Sequence, residues 1–212
     1  MLQESLCIGP IGGMIGDLSN TEPPSRPDII LAELQADVPA LLEALAAGDH
    51  SIRTLALGSL DKIGQLADSQ VSDSLHDTHR DVRCRAIELS IRRPNVKPMG
   101  LLSDPDDLVV ETAAWALGER GAIEPDIISA LVEVGISHDV SICREAAIAA
   151  LGALGDEGGL PAIMHGLEDR APVRRRAVLA LAPFDTPEVT NALERATHDR
   201  DRQVRQAAED LL

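Results

Sequence analysis

The chain has 212 residues, a formal net charge of -16 and a sequence pI near 4.6, a balance that repels polyanions. One Trp, one Phe and no Tyr leave almost nothing for nucleobases to stack on, so no nucleic-acid partner is expected, and no stretch is long and apolar enough to imply a membrane partner. Three cysteines, Cys7, Cys84 and Cys143, show neither metal-ligand nor redox spacing, which fits a reducing, cytoplasmic setting.

Residues 1–27 combine scattered glycines with Pro23, Pro24 and Pro27, too little apolar surface to offset chain entropy, so they read as a flexible leader. The apolar run 7–16 is interrupted by Gly9, Pro10, Gly12 and Gly13 and preceded by Glu4, which does not suit a signal peptide. Gly12, Gly13 and Gly16 look superficially like a phosphate-cradling loop, but no strand precedes them and no helix comes after. From Asp28 the pattern turns helical, and residues 28–212 form the second domain. Ile29, Ile30, Leu31 and Leu34 predict a short helix that covers the first repeat. Asp37 can cap a second helix, with Pro39 in its first turn, an apolar face of Leu41, Leu42 and Leu45, and Gly48 as its end.

Beyond Gly48 one unit recurs. Copies start at Ile52, Val82, Val109, Cys143, Val173 and Val204, and subtracting neighbouring starts gives spacings of 30, 27, 34, 30 and 31. That period accommodates two short helices and two turns. Each copy has alanine four positions on: Ala56, Ala86, Ala113, Ala147, Ala177 and Ala208. Position eight carries Leu60, Ser90, Leu117, Leu151, Leu181 and Leu212, and position one carries Arg53, Arg83, Val110, Arg144, Arg174 and Arg205. First helices are expected near 68–75, 96–102, 125–134, 160–167 and 187–196. On a helical wheel positions zero, four, seven, eight and eleven make a buried stripe with the alanine at its centre. A larger residue there overpacks by about 1–3 kcal/mol, so Ala147→Leu should lower the melting temperature. Gly64, Gly121 and Gly155 at position twelve fit left-handed helix ends.

Position five holds Leu57, Ile87, Ala114, Ile148 and Val178 and then Glu209, the polar outer face that a terminal repeat requires. The array is thus expected to end at Leu212, the alternative being that Glu209 is one exposed residue in a fraying helix. Arginine in the first turn opposes the helix dipole, and the loops ahead carry Asp49, Asp77, Asp104, Asp106, Asp139, Asp169, Asp199 and Asp201. These placements imply a ladder of arginines bridging loop carboxylates, within or between repeats. Two copies depart from the rule. Copy two has Ser90, Arg93 and Pro94 where leucine, an aliphatic residue and glycine are usual, which predicts a bend or loosening around 92–98. Copy three has Val110 for arginine, leaving Asp104, Asp106 and Asp107 without their regular partner, and it carries the tryptophan.

The columns Val-Arg-x-x-Ala-x-x-x-Leu-x-x-Leu-Gly, clearest in 109–121, 143–155 and 173–181, resemble the short HEAT-like repeats of the phycobilisome-lyase type. The resemblance implies an all-α fold, an α-solenoid built as a right-handed superhelix of about six HEAT-like helix pairs, with second helices lining a concave face that binds protein partners. It also implies an alternative, a bilin lyase-like enzyme or chromophore-attachment accessory. HEAT-like hydroxylases hold iron through His-Glu pairs, and no such dipeptide occurs here; HEAT-like DNA glycosylases need a basic channel, which the charge balance disfavours.

No catalytic set is readable from spacing, and no cofactor or metal is expected. His50, His76, His79, His138, His165 and His198 fall in loops of different repeats, where distance should keep them apart, and only His76 with His79 could share an ion. Cys84, beside Arg83 and Arg85, reads either as a thiolate-prone thiol or as an incidental surface cysteine, whereas Cys143 at position zero reads as core. The candidate binding residues lie on the outward side of the second helices: Trp115, Glu88, Glu111, Glu119, Glu145, Arg175 and Leu179. An exposed aromatic in an acidic ring would anchor a basic or amphipathic peptide; the equal alternative is that Trp115 folds over and packs.

Overall fold

The computed structural model describes residues 23–46 and 49–212. The expected leader over 1–27, with Cys7 and the glycine cluster, and the expected helix end at Gly48 lie largely or wholly outside these residues. Among the described residues the chain is all helical, an α-solenoid. It opens with α1 (Arg26–Gln35), started by Ser25, whose backbone N–H and hydroxyl both donate to the Asp28 carboxylate, and ended at Ala36 in the left-handed conformation. α1 does cover the first repeat, but through buried Ile29 and Ala32; Ile30, Leu31 and Leu34 face outward. Glu33 adds a polar tie, accepting from Ser59 Oγ at 2.6 Å and Lys62 Nζ at 3.1 Å.

Six pairs come after it: α2 (Val38–Leu45) with α3 (His50–Lys62), α4 (Asp68–Ser74) with α5 (Arg80–Ser90), a 3-10 helix (Pro98–Ser103) with α6 (Asp107–Arg120), α7 (Pro125–Ser137) with α8 (Ser141–Leu154), α9 (Leu160–Gly166) with α10 (Ala171–Ala180), and α11 (Pro187–Ala196) with α12 (Arg202–Glu209). Asp37, Asp49, Asp106 and Asp201 each cap a helix, accepting a first-turn N–H. Gly64, Gly121 and Gly155 all have positive φ, between 63° and 70°, so the helix ends fall where the position-twelve glycines placed them.

Every alanine of position four is fully buried, as are Leu57, Ile87, Ala114, Ile148 and Val178 of position five, while Glu209 is exposed. One apolar core runs from Leu57 to Ala208, and a smaller one joins α1 to the first pair. Consecutive second helices touch closely: a Cβ added to Gly118 would lie 2.9 Å from Ala150 Cα, and one on Gly152 would lie 2.7 Å from Ala180 Cα. Small residues at these crossings set the spacing between helices, and so the face they jointly present.

The arginine ladder runs between repeats. Arg53 grips Asp77 (2.8 and 2.7 Å), Arg83 grips Asp104 (2.8 and 2.8 Å), Arg144 grips Asp169 (2.6 and 2.9 Å) and Arg174 grips Asp199 (2.8 and 2.8 Å), each bidentately. The second arm turns back onto the helix's own loop, with Arg83 donating to Asp77 O, Arg144 to His138 O, Arg174 to Asp169 O and Arg205 to Asp199 O. These carbonyls offset the unfavourable placing of a cation at a helix start. The Arg144 and Arg174 guanidiniums hold Asp169 and Asp199 below the ordinary carboxylate value. Burial pushes Asp77 up, but the bonds from Arg53 and the His79 N–H outweigh it and leave that carboxyl low as well.

Two expectations about the irregular copies are corrected. The segment after α5 is tied rather than loosened: Arg93 reaches Asp61 at 2.6 Å, and Arg120 donates to the carbonyls of Ser90 (2.9 Å), Val96 (2.8 Å) and Pro94 (3.2 Å). A guanidinium from the next repeat thus satisfies the carbonyls around the α5 terminus, where cations are favoured. The replacement of Leu by Ser90 costs no orphaned hydroxyl, since its Oγ donates to Ile87 O at 2.7 Å. Nor does Val110 strip Asp104 and Asp106 of partners, because rungs point forward along the chain: Arg83 holds Asp104, and Arg80 reaches Asp106 at 3.3 Å. The loop deprived of its rung is the following one, before α8.

Candidate functional site

Glu111, Trp115 and Glu119 succeed one another at four-residue intervals on α6 and therefore share a face. Opposite them, Ile142, Glu145, Ala146, Ala149 and Ala153 line the facing side of α8. Together with Gly118, Ala150 and Arg176 they enclose a groove of about 450 Å³. Its floor is alanine and glycine, its apolar walls are Trp115 and Ile142, 46% and 47% exposed, and its rim carries three carboxylates against one guanidinium. Arg176 leans on Glu145 at 3.4 Å. Among the described residues Trp115 Nε1 finds no acceptor, so the indole presents both an apolar plate and a free donor.

Four of the expected residues, Trp115, Glu111, Glu119 and Glu145, thus come together. Arg175 and Leu179 lie one helix further on, in a smaller hollow of about 160 Å³ that shares Glu145 with the first. Glu88 does not line the groove: it pairs with Arg85 on its own helix at 2.7 Å. The residues that sequence reading passed over are Ile142 and the alanine floor. An alanine-rich stretch on α8 was visible, but an outward alanine and a packed one look the same until the neighbouring helix is placed. Another hollow, of about 440 Å³, overlies the Arg174–Asp199 rung, whose charged groups are already spent on each other.

The thiol and histidine expectations change. Cys84 is half-buried, and burial, against a weak bond from Thr112, pushes its thiol up rather than toward thiolate. The flanking cations are committed elsewhere, Arg83 to Asp104 and Arg85 to Glu88. Histidines of different repeats do converge: the His50 and His79 rings stack with centroids 3.5 Å apart and planes 15° from parallel, because the stacking of pairs superimposes the loops of successive repeats. Cys143 is fully buried, as expected. No described helix is long and apolar enough to cross a membrane.

A family model described as HEAT repeats matches residues 73–152 and 128–212. Among solved structures, a designed armadillo repeat protein is similar with a TM-score of 0.56 at 20% identity, over 82% of this chain and 98% of that chain; at this identity the likeness speaks for the fold alone. No curated protein matches the chain.

Proposed function

Since this chain belongs to the HEAT-repeat family, we propose that it is a protein-interaction scaffold in which the second-helix layer, the concave side of the expected superhelix, receives a basic amphipathic peptide segment in the groove between α6 and α8. The observation that carries this reading is Trp115: half-exposed, its donor unspent, and set over an alanine floor inside a rim of Glu111, Glu119 and Glu145. The floor leaves room for a bulky apolar side chain to be covered by the indole. The carboxylates favour a partner whose flanking residues are Arg or Lys, and they speed its approach. Arg175 and Leu179 extend the same face toward α12. HEAT folds commonly act as scaffolds, and the two described free thiols, Cys84 and Cys143, are in keeping with the proposed cytoplasmic setting.

The test exploits the single tryptophan. Titrating the protein with a synthetic amphipathic Leu/Arg helix should shift Trp115 emission saturably, and a labelled copy of the peptide should bind Trp115→Ala about 30-fold more weakly, the loss typical of an interface anchor. Equal affinity for wild type and Trp115→Ala would remove the anchor. The same titration with a bilin separates the chromophore-attachment alternative, which predicts a bound-pigment absorbance band instead.

A further inference from the structure

The ladder is broken once, between the third and fourth repeats, and both halves of the rung differ there. α6 has Val110 where the other second helices have arginine. Five residues before position zero, where Asp77, Asp104 and Asp199 accept their rungs, stands His138. His138 keeps the local task of those aspartates: its Nδ1 accepts the Val140 N–H at 3.2 Å, as Asp77 accepts the His79 N–H at 2.8 Å. That bond puts the neutral ring's proton on Nε2, which points away, 3.9 Å from Asp107 Oδ1. Position zero, valine or isoleucine in the other copies, is Cys143, whose thiol donates to Asp107 O at 3.3 Å. One donor atom from each of Asp107, His138 and Cys143 lies within 4.8 Å of the other two. They come from three separate element ends: the first residue of α6, the residue after α7 and the first turn of α8.

We propose that Asp107, His138 and Cys143 form a binding site for a thiophilic divalent cation of the zinc class, which ties the third repeat to the fourth in place of the absent arginine rung. Thiolate, imidazole and carboxylate together are a donor set suited to zinc, with the fourth position left to water or to a side chain of a partner. Donor atoms around a tetrahedral ion sit about 3.3–3.8 Å apart, so contraction of about 1 Å is needed, and the Asp107 side chain, 54% exposed, is free to supply it. Binding replaces the sulfur–hydrogen bond with a sulfur–metal bond and releases the thiol proton to solvent; at His138 the Nε2 proton passes by way of solvent to Nδ1, which gives up its bond from the Val140 N–H. Because the thiol must lose its proton to bind, uptake should strengthen as pH rises. The His50, His79 and Asp81 cluster is the weaker candidate, since stacked rings aim their lone pairs in parallel rather than at one point.

Cobalt(II) is the probe, in a Cys7→Ser, Cys84→Ala background that leaves Cys143 as the single thiol. A near-ultraviolet thiolate-to-cobalt band should saturate at one equivalent, zinc should bleach it, and zinc should raise Tm by about 5 °C at saturating excess. Cys143→Val restores the residue usual at this position, so the variant should fold and lose both responses. Val110→Arg with His138→Asp, which rebuilds the rung, should also fold and ignore zinc. Absence of the cobalt band in the reduced parent, or a zinc-dependent Tm gain that survives in either variant, overturns the site.

Discussion

Between α8 and α12 the solenoid repeats itself: Arg144 and Arg174 each bind the next loop's aspartate and their own loop's carbonyl, glycine meets alanine at the helix crossing, and a buried alanine centres each stripe. Between α5 and α8 the same positions carry other chemistry. A 3-10 helix stands in for a first α-helix, Arg120 stitches a loop by its carbonyls, Val110 and His138 replace a rung, and Trp115 rises beside an alanine floor. The contrast separates scaffold from specificity. In the regular half every charged group of the ladder is consumed by the fold, whereas in the irregular half the indole, the Glu111 and Glu119 carboxylates and a His–Cys–Asp cluster are left to face something else.

The sharpest break of the regular half is at the helix crossing. Gly152→Ala gains about 1 kcal/mol in helix propensity, yet its Cβ would sit 2.6 Å from Ala180 Cβ and 2.7 Å from its Cα, backbone that cannot swing aside. Overpacking should win, with a net loss of about 2 kcal/mol in urea denaturation; an unchanged midpoint would mean that the spacing of second helices is not set here. Next comes the ladder. Arg174→Met leaves Asp199 facing a rung that is 7% exposed on the arginine side and 16% on the aspartate side, and should cost about 1.5–3 kcal/mol. The double variant Arg174→Met, Asp199→Asn should recover part of that loss, which a double-mutant cycle would measure as coupling.

Trp115→Ala should cost about 1–2 kcal/mol in stability, since nearly half of the residue is already in water. A larger loss would move Trp115 from the specific half to the structural half. The smallest effect is with pH. Asp169 and Asp199 titrate below their ordinary value of 3.8 when folded, so their contribution is present in full above that value and is lost as pH falls through the folded values. Acid melts should therefore lose stability below about pH 4, and Arg174→Met should flatten that dependence.

What the sequence by itself determined is the unit. A small residue recurring at the centre of an apolar stripe, a glycine at each helix end and an arginine beside an acidic loop are local chemical necessities repeated at a near-constant period, so comparing copies exposed them. Those columns carried the helix order, the alanine contacts, the left-handed ends at Gly64, Gly121 and Gly155, and the existence of a ladder. Tertiary structure decided the partners. A side chain's neighbours across repeats depend on how far and at what angle one pair stacks on the next, which no single copy encodes. That stacking sent the arginines forward to the following loop, brought His50 onto His79 and His138 toward Cys143, tied the 90–96 segment to Arg120, and drew Trp115 and Ile142 to the two walls of one groove while leaving Glu88 outside it.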